Sequence, residues 1–384
     1  MTHQAVRKEI LSSVRRVVLK LGSSVVTTEE GLDTRVMGEL VDDVCALKEA
    51  GKEFIIVSSG AIAAGVRRMN LKAGARTIPQ KQAAASIGQS RLMATYGYAF
   101  SRHGIRVGQM LLTKDDLSHR RRYLNARNTL TTLLSWGVVP IVNENDTVMV
   151  EEIQVGDNDN LSALVATLAD ADLLIALTDM EGLMDCDPRK DSEACLIPLV
   201  EAITPEIRGM AGAATSTVGR GGMSSKLEAA AKAGASGIPM IIAGGKQAHV
   251  VSQILQADAC GTLILPAKEK LSARKHWILY NLEHEGVLII DSGAAGALTR
   301  DGKSLLSIGI VHVSGDFEHG ATVVVQDTEG KTLAKGLANY SSREMEKIKG
   351  HRTAEIDWIL GYRRNDEAIH ADNLVLVGTN GIEQ

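Results

Sequence analysis

The sequence has few aromatic and cysteine residues and lacks long hydrophobic runs. Phe, Trp and Tyr make up 3% of the 384 residues, and the four cysteines (Cys45, Cys186, Cys195 and Cys260) form no C-x-x-C pair. This cysteine pattern argues against a disulfide framework or a structural zinc site and favours reduced thiols in a cytoplasm. No apolar run approaches the roughly 18 residues that span a bilayer. Met1–Arg16 lacks the apolar core of a secretory signal.

The sequence also lacks an excess of basic charge. It has 42 Lys and Arg against 46 Asp and Glu, a net charge of −4, so no basic field indicates nucleic acid or an anionic membrane. Glycine, by contrast, is abundant, with 37 residues, and 45% of the chain is hydrophobic. This composition favours an α/β protein with many tight turns between strands and helices, and the length favours two domains.

From Val14 to about Leu265, apolar strands alternate with small-residue turns and amphipathic helices. The pattern predicts a mostly parallel sheet sandwiched by helices. The predicted strands are Val17–Leu19, Phe54–Val57, Val107–Leu111, Val138–Val142, Leu173–Leu177 and Met240–Ile242.

Near Pro266 the pattern changes to short alternating stretches between Gly and Asp turns. We predict a first domain over 1–266, a linker over 267–275, and a small β-rich domain with a C-terminal tail over 276–384. Gly302-Lys303-Ser304 and Gly330-Lys331-Thr332 lack the earlier glycine of a Walker P-loop, and we interpret both as hairpin turns.

Four predicted strands end in turns that carry chemically active groups. These turns are Lys20–Ser24, Ser58–Gly65, Asn143–Asp146 and Thr178-Asp179. Ligands of open α/β sheets bind at the carboxyl ends of the strands, so four such turns predict a functional edge. For any single turn, ordinary turn or cap chemistry is the alternative interpretation.

Two further segments lead into predicted helices. Val155–Asn160 carries more Asp and Asn side chains than one helix cap requires, which indicates ligand or metal contact. Val218–Lys226 is glycine-rich and would wrap phosphates, with a flexible surface loop as the alternative. The sequence has no G-x-G-x-x-G after the first strand and no G-x-S-x-G elbow. Lysines, Asp and Asn side chains and glycine-rich turns suit phosphoryl transfer.

The motifs together resemble a known family. Lys20–Ser24, Ser58–Gly65, Gly108–Thr113, Asn143–Asp146, Val155–Leu164 and Gly221–Lys226 occur in the order found in the glutamate 5-kinases, a branch of the amino-acid kinase family. The C-terminal part resembles the PUA domain, the pseudouridine synthase and archaeosine transglycosylase module. The resemblance covers nearly the whole chain from about Arg15.

The resemblance implies roles for individual residues. Lys20 and Lys226 match the catalytic lysines, and Asp159 matches the acid that orients them. The positions that match the glutamate site are Ser59, Asn143, Asp146 and Asn158, with Asp157 in the same loop. The positions that match the ATP site are Lys20, Thr178, Asp179, Arg220, Gly221, Gly222, Met223, Ser224, Ser225 and Lys226. At Arg220 the family more often has a small hydroxyl residue.

The resemblance implies ATP-dependent phosphorylation of the γ-carboxylate of L-glutamate, the first step of proline biosynthesis, in the cytoplasm. It also implies Mg²⁺ with unassigned protein ligands, inhibition by proline, a homodimer or homotetramer, and hand-off of the product to the next enzyme of the pathway. No membrane partner is expected. Kinases of N-acetylglutamate, aspartate or carbamate remain the alternative enzymes.

The PUA resemblance raises RNA binding as an alternative function. Residues 272–384 carry 12 Lys and Arg and 16 Asp and Glu, whereas the remainder of the chain has 30 of each. The whole net charge of −4 therefore belongs to the C-terminal part. An acidic module lacks the electrostatic attraction that drives binding to a phosphate backbone, so RNA is not expected as a partner.

Overall fold

The computed structural model describes residues 2–71, 74–148, 157–188, 191, 193–212, 222–267 and 284–377. The chain divides into two compact units, Met1–Lys270 and Leu271–Gln384. The predicted linker, 267–275, lies outside the described residues except for Ala267. Among the described residues, none of the helices combines the length and the apolar character needed to cross a membrane.

The first unit is built on a sheet with helices on its faces. Its strands are β1 (Arg16–Leu21), β2 (Thr27–Thr28), β3 (Gly31–Leu32), β4 (Glu53–Ser58), β5 (Val107–Leu112), β6 (Val139–Glu144), β7 (Leu173–Thr178), β8 (Leu199–Val200), β9 (Met240–Gly244) and β10 (Thr262–Ile264). Its helices are α1 (His3–Ser12), α2 (Ser23–Val26), α3 (Thr34–Glu49), α4 (Ala61–Arg68), α5 (Ile78–Ser101), α6 (Lys114–Ser118), α7 (Arg120–Ser135), α8 (Asp157–Leu168), α9 (Pro205–Gly212), α10 (Met223–Ala235) and α11 (Val250–Leu255).

The main sheet has eight strands in the order β5-β6-β4-β1-β7-β9-β10-β8. From β5 to β9 every neighbouring pair is parallel, and β10 runs antiparallel to β9. The predicted fold class, a mostly parallel sheet sandwiched by helices, is confirmed. The short strands β8 and β10 were not among the predicted strands, because two or three residues are too few to show a period.

Strand β1 lies at the centre of the sheet, and its two faces serve different purposes. Val17, Leu19 and Leu21 are almost fully buried in a core that also holds side chains from α3 and α5. Successive side chains of a strand point to opposite faces, so Lys20 lies on the other face. That face is covered by α8, which carries Asp159, the ion-pair partner of Lys20.

Helices α4 and α5 pack at backbone contact. A Cβ at Gly88 would lie 1.8 Å from the Ala61 carbonyl oxygen, and one at Gly65 would lie 1.8 Å from the Ala84 carbonyl oxygen. No other residue type fits at either position without moving a helix. The crossing therefore fixes the position of α5 against the turn that follows β4.

The second unit has a five-stranded sheet in the order β12-β11-β13-β14-β15. Its strands are β11 (Gly286–Ile290), β12 (Ile310–Gly315), β13 (Thr322–Gln326), β14 (Thr332–Leu337) and β15 (Leu374–Leu376). Its helices are α12 (Ser292–Asp301), α13 (Ser342–Ile348) and α14 (Ile356–Leu360). The β-rich character is confirmed.

The structure separates the two Gly-Lys sequences of the second unit. Gly330-Lys331 lies in the turn between the antiparallel strands β13 and β14, as predicted. The hairpin interpretation is wrong for Gly302, which ends α12 in the left-handed conformation at φ 62°. A left-handed glycine after the last turn is a common helix ending, and the preceding alanines give α12 its helix propensity.

Candidate active site

The four polar turns predicted from the sequence lie at one edge of the sheet. Strands β6, β4, β1 and β7 are consecutive neighbours and run in the same direction, so their carboxyl ends are adjacent. Asn143 and Thr178 lie in the last residues of β6 and β7, and Ser59 directly follows β4. Gly60, the residue before α4, then adopts a left-handed φ of 103°, a conformation that favours glycine.

Two lysines and one aspartate form a buried cluster at this edge. Lys20 Nζ lies 2.5 Å from Asp159 Oδ1, and Lys226 Nζ lies 3.4 Å from Asp159 Oδ2. Ser225 Oγ donates a hydrogen bond of 2.6 Å to Asp159 Oδ2. Asp159 is 1% exposed, and Lys20 and Lys226 are each 5% exposed. Two ammonium groups and one carboxylate give the cluster a surplus of one positive charge.

Burial and mutual attraction set the protonation of this cluster. Burial lowers the pKa of Lys20, and the neighbouring charge of Lys226 lowers it further, against the opposing effect of Asp159. Burial by itself would raise the pKa of Asp159, but Lys20 and Lys226, with hydrogen bonds from Lys20 and Ser225, hold it below its ordinary value. Asp159 is therefore an anion at neutral pH and cannot serve as a proton donor there.

Polar side chains from three elements meet beside this cluster. Asn158 Nδ2 donates to Ser59 Oγ at 2.8 Å and to Asn143 Oδ1 at 3.0 Å. Asn143 Nδ2 in turn donates to Gln89 Oε1 at 2.9 Å. The structure thus brings together three of the four residues predicted for glutamate binding. The fourth, Asp146, is half-buried at the start of a 3-10 turn, Asp146–Val148, that follows β6.

A cleft reaches the cluster at Lys226. Its lining includes Thr178, Asp179, Gly222, Met223 and Lys226, all of which were predicted to bind ATP. The remaining lining contains apolar side chains suited to a flat aromatic ring, namely Met180, Leu183, Met184, Pro188 and Met210. The arrangement joins an apolar recess to the cationic cluster.

The other residues predicted for the nucleotide lie as follows. Ser224 is exposed on the first turn of α10, whereas Ser225 contacts Asp159. Gly222 precedes α10 as its cap residue and provides no side-chain hydrogen bond. Arg220 and Gly221 lie outside the described residues, as does the side chain of Asp157.

The residues of this cleft fit a nucleotide that carries Mg²⁺. The surplus positive charge at Lys20 and Lys226 complements a polyphosphate. The carboxylates of Asp179 and Asp187 line the same cleft, and carboxylate oxygens are ligands that Mg²⁺ prefers. Within the described ranges, no group of three or more His, Cys, Asp or Glu side chains could hold a metal ion.

Comparison with known proteins agrees with this geometry. A model of the amino acid kinase family matches residues 15–244, and a model of the PUA domain matches residues 286–360. A glutamate 5-kinase from Geobacter sulfurreducens is 51% identical over 372 residues, 97% of this chain and 100% of that protein. Glutamate 5-kinases from Citrifermentans bemidjiense and Syntrophotalea carbinolica are each 50% identical, over 97% and 96% of this chain and 100% and 99% of theirs.

The chain belongs to the amino acid kinase family. The family model spans the strand ends that carry Lys20, Ser59, Asn143 and Thr178, so the matched region contains the assembled edge of the sheet. The resemblance inferred from the sequence motifs is confirmed, for both the kinase part and the PUA domain.

Sequence reasoning missed one polar residue of this amino acid kinase site. Gln89 lies on α5 and is 9% exposed, in a run of small side chains that gives no sign of a site. A glutamine between Gly88 and Ser90 in a predicted helix is most simply a surface residue. The burial of Gln89 depends on the crossing of α4 and α5 at Gly65 and Gly88, a tertiary contact that the local sequence does not show.

Proposed function

We propose that this chain transfers the γ-phosphoryl group of ATP to the γ-carboxylate of L-glutamate, giving L-glutamyl 5-phosphate in the first step of proline biosynthesis. The buried Lys20–Asp159–Lys226 cluster, set between an apolar cleft and a group of amide side chains, carries this proposal. The glutamate 5-kinases at about half identity over nearly their whole length support the choice of substrate.

The reaction needs positioning and charge neutralisation rather than a base. The γ-carboxylate, with a pKa of about 4.3, is already ionised at pH 7. Its oxygen attacks the γ-phosphorus, the bond from that phosphorus to the β-γ bridging oxygen breaks, and ADP leaves with the electron pair. Bound Mg²⁺ supplies further neutralisation of the phosphate charge. No proton has to be removed from the nucleophile.

In this proposal the cluster stabilises charge at the point of transfer. Lys20 and Lys226 both contact Asp159, so their ammonium groups are held side by side on one carboxylate. In the proposed reaction these two ammonium groups supply positive charge at the point of transfer. Ammonium groups that are already oriented cost no reorganisation when the transition state forms.

The two substrates occupy different parts of the site. Ser59, Asn143, Asp146 and Asn158 bind glutamate at the ends of β4 and β6 and the start of α8. The positions for ATP are Lys20, Thr178, Asp179, Arg220, Gly221, Gly222, Met223, Ser224, Ser225 and Lys226. The contacts of Asn158 with Ser59 and Asn143, and the cleft lined by Thr178 and Lys226, support this division.

Capture of the acyl phosphate tests the proposal. The purified chain is incubated with Mg²⁺-ATP, hydroxylamine and one of L-glutamate, N-acetyl-L-glutamate or L-aspartate, and the hydroxamate is measured. We expect hydroxamate with L-glutamate only. Turnover of another acid without turnover of L-glutamate would overturn the substrate assignment and favour another amino acid kinase; ADP release with carbamate covers that remaining alternative.

We also propose that L-proline inhibits the enzyme at the glutamate site and that the chain forms a homodimer or homotetramer. The family resemblance supports both. A rise of the KM for glutamate with added proline, and a molar mass of two or four chains by light scattering, are the expected results. An unchanged KM would contradict the first, and a 41.0 kDa species would contradict the second.

The proposal includes a cytoplasmic location and direct passage of the product to the next enzyme of the pathway. An acyl phosphate hydrolyses readily, which favours hand-off, and the scattered cysteine pattern of the sequence favours a reducing compartment. We further propose domain boundaries of 1–266, 267–275 and 276–384. Limited proteolysis of the full chain is expected to cut first within 267–275, and first cuts elsewhere would contradict those boundaries.

A further inference from the structure

Three side-chain carboxamides form a chain that begins on α5 and ends at the glutamate positions. Gln89 Oε1 accepts from Asn143 Nδ2 at 2.9 Å, and Asn143 Oδ1 accepts from Asn158 Nδ2 at 3.0 Å. A carboxamide has one carbonyl and one amino end, so the orientation of each member fixes the orientation of the next. We call this hydrogen-bonded set, Gln89, Asn143 and Asn158, the carboxamide chain.

The two ends of the carboxamide chain are buried and lack partners. Gln89 Nε2 and Asn158 Oδ1 make no hydrogen bond, and neither is reached by solvent. A buried unpaired donor destabilises the folded protein. A methionine or leucine at position 89 would remove this donor. A polar group that costs stability and could be replaced by an apolar one is characteristic of a functional position.

Gln89 is held rigidly enough to set this orientation. The preceding residue, Gly88, contacts the backbone of α4 so closely that a Cβ would lie 1.8 Å from the Ala61 carbonyl oxygen. About two turns further along α5, Tyr96 is 1% exposed and hydrogen-bonds Ser58 at 2.8 Å. The helix is therefore fixed to the start of α4 on one side of Gln89 and to the end of β4 on the other.

We propose that Gln89 is a positioning residue for the amino-acid substrate and acts through Asn143. Its carbonyl holds the amino end of Asn143, which turns the Asn143 carbonyl to Asn158. Asn158 then directs its own amino group to Ser59 and Asn143, two of the positions proposed for glutamate. This inference rests on the proposed function, since it takes an amino acid as the substrate.

The first test compares Gln89→Met with the wild type in the full chain. Methionine keeps the volume and removes the acceptor. We expect the KM for L-glutamate to rise about tenfold, the loss of one well-oriented hydrogen bond. The KM for ATP stays within twofold and the Tm stays within a few degrees. Thr95→Val, which removes a hydrogen bond to Arg91 on the same helix, is the matched control and leaves both KM values unchanged.

The second test is a double-mutant cycle of Gln89→Met with Asn143→Ala. If Gln89 acts through Asn143, Gln89→Met changes the KM for glutamate less than twofold once Asn143 is alanine. A full tenfold effect in that background would overturn the inference, and so would an unchanged KM in folded Gln89→Met. Should Gln89→Met not fold, Gln89→Leu is used in the same cycle.

The experiments distinguish a failure of the role proposed for Gln89 from a failure of the proposed function. If the wild type forms no glutamyl hydroxamate, the proposed function fails and this inference fails with it. If the wild type turns over glutamate but the cycle is additive, only the role of Gln89 is wrong.

Discussion

At the scale of single residues, the proposed active site depends on one carboxylate that contacts two lysines. Asp159 contacts Lys20, Lys226 and Ser225, and all its charge is balanced within the protein. The lysines together carry one charge more than Asp159 neutralises. This excess positive charge can attract an anionic phosphoryl group. Burial makes that attraction stronger than it would be in water.

Lys226→Ala should lower kcat by about 10²- to 10³-fold with a much smaller effect on the KM for glutamate, because it removes stabilisation made in the transition state. Steady-state kinetics with hydroxamate detection measure both constants. Glu228→Ala, an exposed residue on the same helix, is the control and should behave as the wild type. An effect of Lys226→Ala confined to KM would contradict this role.

The lowered pKa of Lys20 predicts the pH dependence of kcat. In the proposed mechanism the charged lysine is the active form, and its pKa lies below the ordinary value because of burial. Activity should therefore be present at neutral pH and fall as pH rises, with a midpoint below about 10.4. Arginine keeps its charge to higher pH. In Lys20→Arg the alkaline fall of kcat should therefore occur at a higher pH, even if the maximal rate is lower. The same midpoint pH for the alkaline fall of kcat in both proteins would contradict the assignment to Lys20.

At the scale of elements, the crossing of α4 and α5 couples packing to the site. The two glycines at the contact, Gly65 and Gly88, allow the helices to touch through their backbones. Helix α5 then brings Gln89 to Asn143 and Tyr96 to Ser58, at the ends of two neighbouring strands. One helix thus holds the ends of both β4 and β6.

Gly88→Ala should destabilise the protein by about 1–3 kcal/mol, because the new methyl group forces the helices apart. It should also raise the KM for glutamate, since α5 carries Gln89. Denaturant unfolding and kinetics measure the two effects.

Gly97→Ala is the matched control on the same helix, where nothing lies within 4 Å of the added Cβ. That change should stabilise by about 0.5–1 kcal/mol, because alanine loses less backbone entropy than glycine in a helix. Equal destabilisation by both substitutions would show that the crossing is not the cause.

At the scale of the whole molecule, charge is divided unevenly between the two units. Residues 272–384 have 12 basic and 16 acidic residues, while the remainder has 30 of each. The PUA match identifies the fold of the C-terminal unit but leaves its role to be tested. The net negative charge of this unit repels a ligand with a phosphate backbone.

We expect the full chain to give no shift of a labelled single-stranded or hairpin RNA at micromolar protein and low salt. The reason is that too few basic groups are available to release counterions from the backbone. A shift that weakens steeply as salt rises would contradict this expectation and revive RNA binding as a function of the C-terminal unit.

The sequence by itself determined six strands of the main sheet and the polar turns that follow four of them. Lys20, Ser59, Asn143 and Thr178 could be found because strand and turn patterns are local and show in a few consecutive residues. The order β6-β4-β1-β7, which places these ends side by side, depends on pairing between distant segments, and local pattern does not contain it.

Only the tertiary structure decided which side chains contact one another. Asp159 was predicted from its resemblance to a family position, but its place between Lys20 and Lys226 follows from the packing of α8 against β1 and of α10 against α8. Gln89 escaped prediction because its burial results from a helix crossing and not from its own neighbours in sequence. Hydrogen-bond partners that are 54 residues apart are chosen by packing, which is why the carboxamide chain could be seen only in the folded protein.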